Sequence, residues 1–171
     1  MFNINRLRAA ITRENGLAKA NRFAVNIFAP PAVGNNEDIN LFANSVTIPG
    51  KNIESYEYPL NALANSVKHP NGYTFEDIEI NFNLTNTYAT KRLFDRWHDA
   101  IINKDYMLHY PDNYEAVIVI LQLDESGNFV YGIRLLDAYP TSVGSISLSN
   151  ESTNTISQMS ATFTYTHLEN I

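Results

Sequence analysis

The strictest constraint on this chain's fold is an alternation of period two, which appears in two separate stretches. From Thr74 to Thr85, Ile78, Ile80, Phe82 and Leu84 fall on one side, and Asp77, Glu79, Asn81, Asn83 and Thr85 on the other. From Ile156 to Thr166, Ser157, Met159, Ala161, Phe163 and Tyr165 alternate with Gln158, Ser160, Thr162, Thr164 and Thr166. Extended chain places such sets on opposite faces, so both stretches read as strands with an apolar face to bury. The wet face of the second strand is built from amides and hydroxyls, with no charge at all. A strand bathed in bulk solvent usually carries some Lys or Glu, so the surface it lines needs an explanation.

The remaining segments supply the partners. Phe23, Val25 and Ile27 alternate up to Pro30-Pro31, and a second extended run covers Ile39 to Ile48. Ala116 to Leu123 is nearly all apolar, which predicts a strand covered on both faces for much of its length. Asp124 to Asn128 reads as a hairpin turn, with Phe129 to Asp137 returning. Ser145 to Ser149 predicts one more strand, its Ser145, Ser147 and Ser149 set against Ile146 and Leu148, so the final hairpin would carry hydroxyls on both arms. Leu93, Phe94, Trp97, Ala100 and Ile101 make one helical stripe over Tyr88 to Asn103, with Thr87 as the expected N-cap. Ile4, Leu7 and Ile11 allow a short amphipathic helix in an arm spanning residues 1–20, ended by Gly16. Pro49 to Tyr73, with three prolines and an Asn71-Gly72 turn signal, reads as a long extended loop in which Tyr56 to Tyr58 could form one arm of a projecting hairpin. About seven strands and one substantial helix predict a mainly β, α+β domain over residues 1–171, with two antiparallel sheets packed as a sandwich or barrel and the helix flanking them.

Chemistry is scarce. His69, His98, His109 and His167 are scattered without metal-ligand spacing, and adjacent His98 and Asp99 point in different directions from a helix. Glu76-Asp77 and Asp124-Glu125 sit at a strand start and a turn, where solvated acids are ordinary. Trp97 belongs to the helix stripe. No glycine-rich loop leads into a helix, and there is no cysteine. The net charge of −6 argues against a free-standing nucleic-acid binder. The opening MFNINRLRAAITRENG lacks a signal peptide's apolar run, so folding in a cytoplasm is expected.

Between Ser142 and Thr166 there is one acid, Glu151, and no base or proline. Natural sheets guard their edges with such residues, so bare ones point to a sheet that continues into another chain. Sheets joined from copy to copy close into a ring, and hydroxyls with a few acids would wet its inner wall without gripping a polyanion.

These residues carry a resemblance. SVTIPG before the long loop, TFEDIEINFNLTN leading into RLFDRWHDAI, and LLDAYPTSVGSISLSNESTNTISQMSATFTYTHLE at the C-terminal end together resemble the tail tube proteins of contractile-tailed, T4-like bacteriophages. The likeness runs from NRFAVNI to HLE. It implies hexameric rings stacked into a tube, wrapped by sheath protein, capped by terminator and started by baseplate or initiator proteins. Tape measure protein and DNA would occupy the bore in turn, and the particle would be a virion assembled in the host cytoplasm. By position, Asp77, Glu79, Asn81, Asn83, Gln158, Ser160, Thr162 and Thr164 would line the lumen. Pro49, Gly50, Tyr56, Tyr58, Leu60 and Leu63 would contact a neighbouring subunit or ring. No enzyme activity, cofactor, metal or small-molecule substrate is implied. A tube initiator of the same fold is the nearest alternative, followed by a monomeric β-sandwich binding module and, last, a hydrolase using Asp77 or Glu79.

Overall fold

Both alternating stretches form strands, and they pair with each other. The computed structural model describes residues 3–14, 16–34, 37–59, 66–103, 105–151 and 154–171. Within these, strands β1 (Phe23–Phe28), β2 (Ala43–Val46), β5 (Ile78–Asn83), β6 (Ala116–Leu123), β7 (Phe129–Val143), β8 (Gln158–Thr164) and β9 (His167–Asn170) form one antiparallel system ordered β1-β6-β7-β8-β5-β2, with β9 also on β7. Strands β3 (Lys51–Pro59) and β4 (Ser66–Phe75) form a separate hairpin.

Strand β7 makes this one continuous system into a two-layered fold. Its first part pairs with β6 and β9, and its last five residues, Tyr139–Val143, pair with β8. The corner falls at Asp137, whose φ is 56°, opposite a register shift between Ala116 and Ile118. An extra residue in the left-handed region bends a strand from one sheet into the next. Burial first, then the charges of Asp137 and Asp112, raise the carboxyl of nearby Glu115 above its ordinary value. A β-branched side chain at position 137 would meet the left-handed penalty of about 1–2 kcal/mol. Asp137→Val is expected to lose that much in denaturant unfolding while Asp137→Gly stays near the parent. Equal midpoints for the two variants would show that the corner does not depend on this backbone state.

The core lies between the layers. Val25 and Ile27 from β1, Ile118 and Ile120 from β6, and Ile133 and Leu135 from β7 face Ile78, Ile80 and Phe82 of β5 and Met159, Ala161 and Phe163 of β8. Helix α2 (Ala89–Ile101) lays Leu93, Phe94 and Trp97 over the same apolar side. Phe94 meets Phe82 and Phe163 at 5.5 and 5.8 Å, and Trp97 meets Phe163 at 5.9 Å. The indole N–H donates to the Tyr114 carbonyl at 2.7 Å.

Four expectations need correction. Thr87 does not cap α2: Tyr88 holds the N-cap position with φ 52°, and its side chain makes no capping bond. The Thr87 hydroxyl pairs with that of Thr85 at 3.0 Å instead. Ser145 to Ser149 lies outside any strand, because β5 and β7 already occupy both edges of β8 and leave no place for a hairpin partner. The run from Ile39 to Ile48 is extended only at β2; Glu37–Phe42 is a 3-10 helix. Finally, most of the expected loop from Pro49 to Tyr73 is the β3–β4 hairpin. Its Pro70 and Gly72 sit inside β4, tolerated because a two-stranded sheet consists only of edges.

Candidate functional site

The outward residues of β5 and β8 come together in register with those of β2 and the end of β7, forming rows across four strands. Asn83 lies opposite Gln158, whose amide donates to the Asn83 side-chain oxygen at 3.1 Å. Ser45, Asn81 and Ser160 form the next row, with the Asn81 amide donating to the Ser45 hydroxyl at 3.1 Å. Glu79, Thr162 and Ser142 form the third. The Thr141 hydroxyl bonds to the Thr162 carbonyl at 3.2 Å, and Thr164 lies opposite Tyr139. Across these rows the single charge is Glu79. The opposite side of the same strands is sealed by α2, so helix and polar face lie on opposite sides of one sheet.

Of the residues expected on this face, Glu79, Asn81, Asn83, Gln158, Ser160, Thr162 and Thr164 all belong to it. Asp77 sits just before β5, in the connection from β4. Ser45 and Ser142 were missed. Ser142 was hidden because Tyr139-Pro140 reads as a strand end, although β7 runs through it. Gly144 marks where the chain leaves the sheet: its N–H donates to the Ser160 carbonyl at 2.8 Å, and a Cβ there would sit 2.4 Å from the Ser160 hydroxyl oxygen.

The bare edges also differ from expectation. Strand β8 is interior, so its lack of charge protects no edge. The outer strands of the polar-faced sheet are β2, four uncharged residues without proline, and Tyr139–Val143 of β7, uncharged but carrying Pro140.

The β3–β4 hairpin is rooted beside this face. Tyr73, Phe75 and Tyr165 form a ladder with ring centres 5.2 and 5.7 Å apart, and Lys51 Nζ sits 4.0 Å above the Tyr73 ring. The Tyr165 hydroxyl donates to the Glu76 carbonyl at 3.0 Å. Burial first, then the charges of Asp77 and Glu76, push its pKa up to about 12, so it stays a donor at any working pH. Beyond this root the hairpin is exposed on both faces, Tyr56 and Tyr58 included. Pro49 and Gly50 lead into it, while Leu60 and Leu63 lie outside the described residues. A lone two-stranded hairpin is marginal in water, and the aromatic ladder at its root ties this one to the rest of the fold.

Among the described residues no group of His, Cys, Asp and Glu is arranged to hold a metal. His109 and Asp99 share a shallow cleft with Arg96, without a hydrogen bond joining them.

A helix-backed sheet that presents a hydrogen-bonded, nearly uncharged face and a bare edge at β2 has the features of a wall-building structural protein. The chain belongs to the phage tail tube protein family, whose profile matches residues 18–169. Its fold resembles chains in three cryo-EM structures. One, of the anti-feeding prophage baseplate, matches with a TM-score of 0.70 at 14% identity, covering 91% of this chain and 95% of that one. A second, of the PVC sheath–tube complex of an extracellular contractile injection system in its extended state, gives 0.69 at 18%, covering 100% and 99%. The third, of the PVC sheath/tube terminator in the extended state, gives 0.68 at 20%, covering 91% and 96%. No curated protein matches the sequence. The family is structural, so the chain is a structural component of a tail tube and not an enzyme.

Proposed function

We propose that this chain is the repeating subunit of the tube: identical copies join edge to edge into hexameric rings, and the rings stack into a hollow tube that delivers DNA. The observation that carries this reading is the polar face of β2, β5, β8 and the end of β7, with Glu79 its single charge. Turned inward, Asn81, Asn83, Gln158, Ser160, Thr162 and Thr164 would hydrate the bore, and Asp77 would sit at its margin. Such a wall lacks the Lys and Arg whose contacts release counterions and hold nucleic acid.

Edge chemistry supports closure. Strands β7, β8, β5 and β2 alternate in direction, so β2 runs antiparallel to β7. Rotation about a ring axis preserves strand direction, so β2 of one copy can pair with Tyr139–Val143 of the next in the antiparallel sense. A barrel closed this way leaves no free edge. The hairpin, through Pro49, Gly50, Tyr56 and Tyr58, would rest on a neighbouring copy. Helix α2 would face outward toward sheath protein, and tape measure protein would precede DNA in the bore.

Negative-stain microscopy of the purified protein is expected to show rings or hollow tubes. A species that stays monomeric at high concentration would refute this function. A tube initiator is the second reading, favoured by the resemblance to a chain of a baseplate structure. The end-to-end match to a chain of the sheath–tube complex supports the repeating subunit. Copy number per particle separates the two, because an initiator contributes one ring and the tube many.

A further inference from the structure

Exposed apolar side chains gather at several places, among them helix α1 (Ile4–Arg13), which buries none of its residues. At one of these places the fold also says what comes beside them. The C-terminal end of α2 and the end of β7 flank an open cleft of about 460 Å³. Because α2 covers the apolar side of the polar-faced sheet, the cleft lies on that side, behind the wall. Ile101, Ile102, Tyr139 and Pro140 give it aliphatic and aromatic walls, and His98, Asp99 and Thr141 complete it. Ile102 is 47% exposed, yet its backbone is held: its N–H donates to the His98 carbonyl at 2.9 Å, and it bridges to Leu108.

The opposite edge of the same sheet carries a matching feature. Past β2 the chain stays beside β5, with the Thr47 N–H donating to the Glu79 carbonyl at 3.4 Å. Val46 lies opposite Ile80 and packs on the core, so alternation returns Ile48 to that apolar side and leaves Ser45 and Thr47 on the polar one. Ile48 is 43% exposed and borders a second open cleft with Phe23 and Ile120. In a lone copy both edges therefore leave apolar surface in water behind the wall, at a cost in free energy proportional to its area.

We propose that Ile48 of one copy seats in the α2–β7 cleft of the adjacent copy, forming a dry apolar seam behind the hydrated wall; the contact rests on the edge-to-edge reading above. Direction fixes which end of β2 arrives. With β2 antiparallel to Tyr139–Val143 of the next copy, the start of β2 lies toward Val143 and its end toward Tyr139 and Pro140, which line the cleft. Alternation fixes the side. Pro140 is buried opposite Phe163, so the cleft and Ile48 both lie on the apolar side of the joined strands. Residues 43–48 carry no charge, and Asp99 is exposed, so no ionised group is sealed into the contact without water. Hydrogen bonds across the seam are exchanged for bonds to water and add little net stability. The apolar contact supplies what strand pairing alone lacks.

The chain has no cysteine, so introduced thiols report cleanly. An assembled Ile48→Cys, Ile102→Cys double variant, treated with a short bifunctional thiol reagent, is expected to give a ladder that stops at the ring's own copy number, with several-fold more linked protein than either single variant. Pairing Ile48→Cys with Ser145→Cys, an exposed position just past Val143 at the other end of the seam, should give only background. Ile48→Asp should stay folded by circular dichroism, because the side chain is part exposed, yet need a several-fold higher concentration to form rings. Rings that are visible by microscopy but unlinked, a ladder running past the ring, equal linking to position 145, or Ile48→Asp assembling like the parent would each overturn the seam contact while leaving the tube reading intact. Complete absence of rings and tubes from the parent protein would overturn both.

Discussion

Replacing Trp97 with alanine is expected to cost about 3–5 kcal/mol of folding stability, the range for emptying a large aromatic core site. The residue is fully buried and stacks on Phe94 with ring centres 6.0 Å apart. It also meets Phe163 edge-on and donates its N–H to the Tyr114 carbonyl. Alanine removes the packing and also leaves that carbonyl without its donor, which adds to the cost. For a chain of this size each kcal/mol moves the melting temperature by about 2–4 °C, so a fall of roughly 10 °C is expected. Trp97→Phe keeps most of the ring volume and should lose less than half as much. Because Trp97 is the only tryptophan, unfolding should be followed by circular dichroism, at fixed protein concentration so that assembly does not add its own stabilisation. A loss below about 1 kcal/mol would mean that α2 is not docked through this residue.

Trp97 was legible in the sequence because the helix stripe of Leu93, Phe94 and Trp97 is a local pattern. The inward faces of β5 and β8 were legible for the same reason: alternation fixes a strand's two sides whatever its neighbours. What stayed hidden depends on pairing between distant segments. Ser145 to Ser149 alternates as well as a strand does, but strand formation needs a free edge, and β5 and β7 had taken both edges of β8. Tyr139-Pro140 looks like a terminator. Pro140 is nonetheless buried within β7, opposite Phe163, next to a register shift and in an outer strand of the sheet, the two settings in which a strand tolerates proline. The β3–β4 hairpin was obscured by its own prolines and glycine, which break most sheets yet fit one with no interior strand. The polar face was found strand by strand, but its extent was not: Ser45 and Ser142 join it only through register. The turn after α2 was missed because what marks it is one side-chain oxygen, that of Asn103, accepting from the N–H of Asp105 and Met107, rather than any periodic pattern.

A lysine at position 81 is expected to block DNA delivery while leaving the fold intact. Asn81 lies between Ser45 and Ser160, so a new ammonium there finds no carboxylate in its row. In the proposed ring each copy would add one such cation to the bore, and every stacked ring would repeat the set. Phosphates held by several lysines per ring release counterions, and the resulting affinity falls steeply with salt. Infectious titre should drop about a hundredfold or more, with DNA release in vitro slow at low salt and recovering as salt is raised. Thr162→Lys should act in the same direction but more weakly, because Glu79 stands directly opposite and would neutralise the added charge. Removing that acid in a Thr162→Lys, Glu79→Gln double variant should therefore deepen the defect toward that of Asn81→Lys. This ordering is specific to the register of β5 against β8. Normal titres and salt-independent release in all three variants would mean that the polar face does not line the bore.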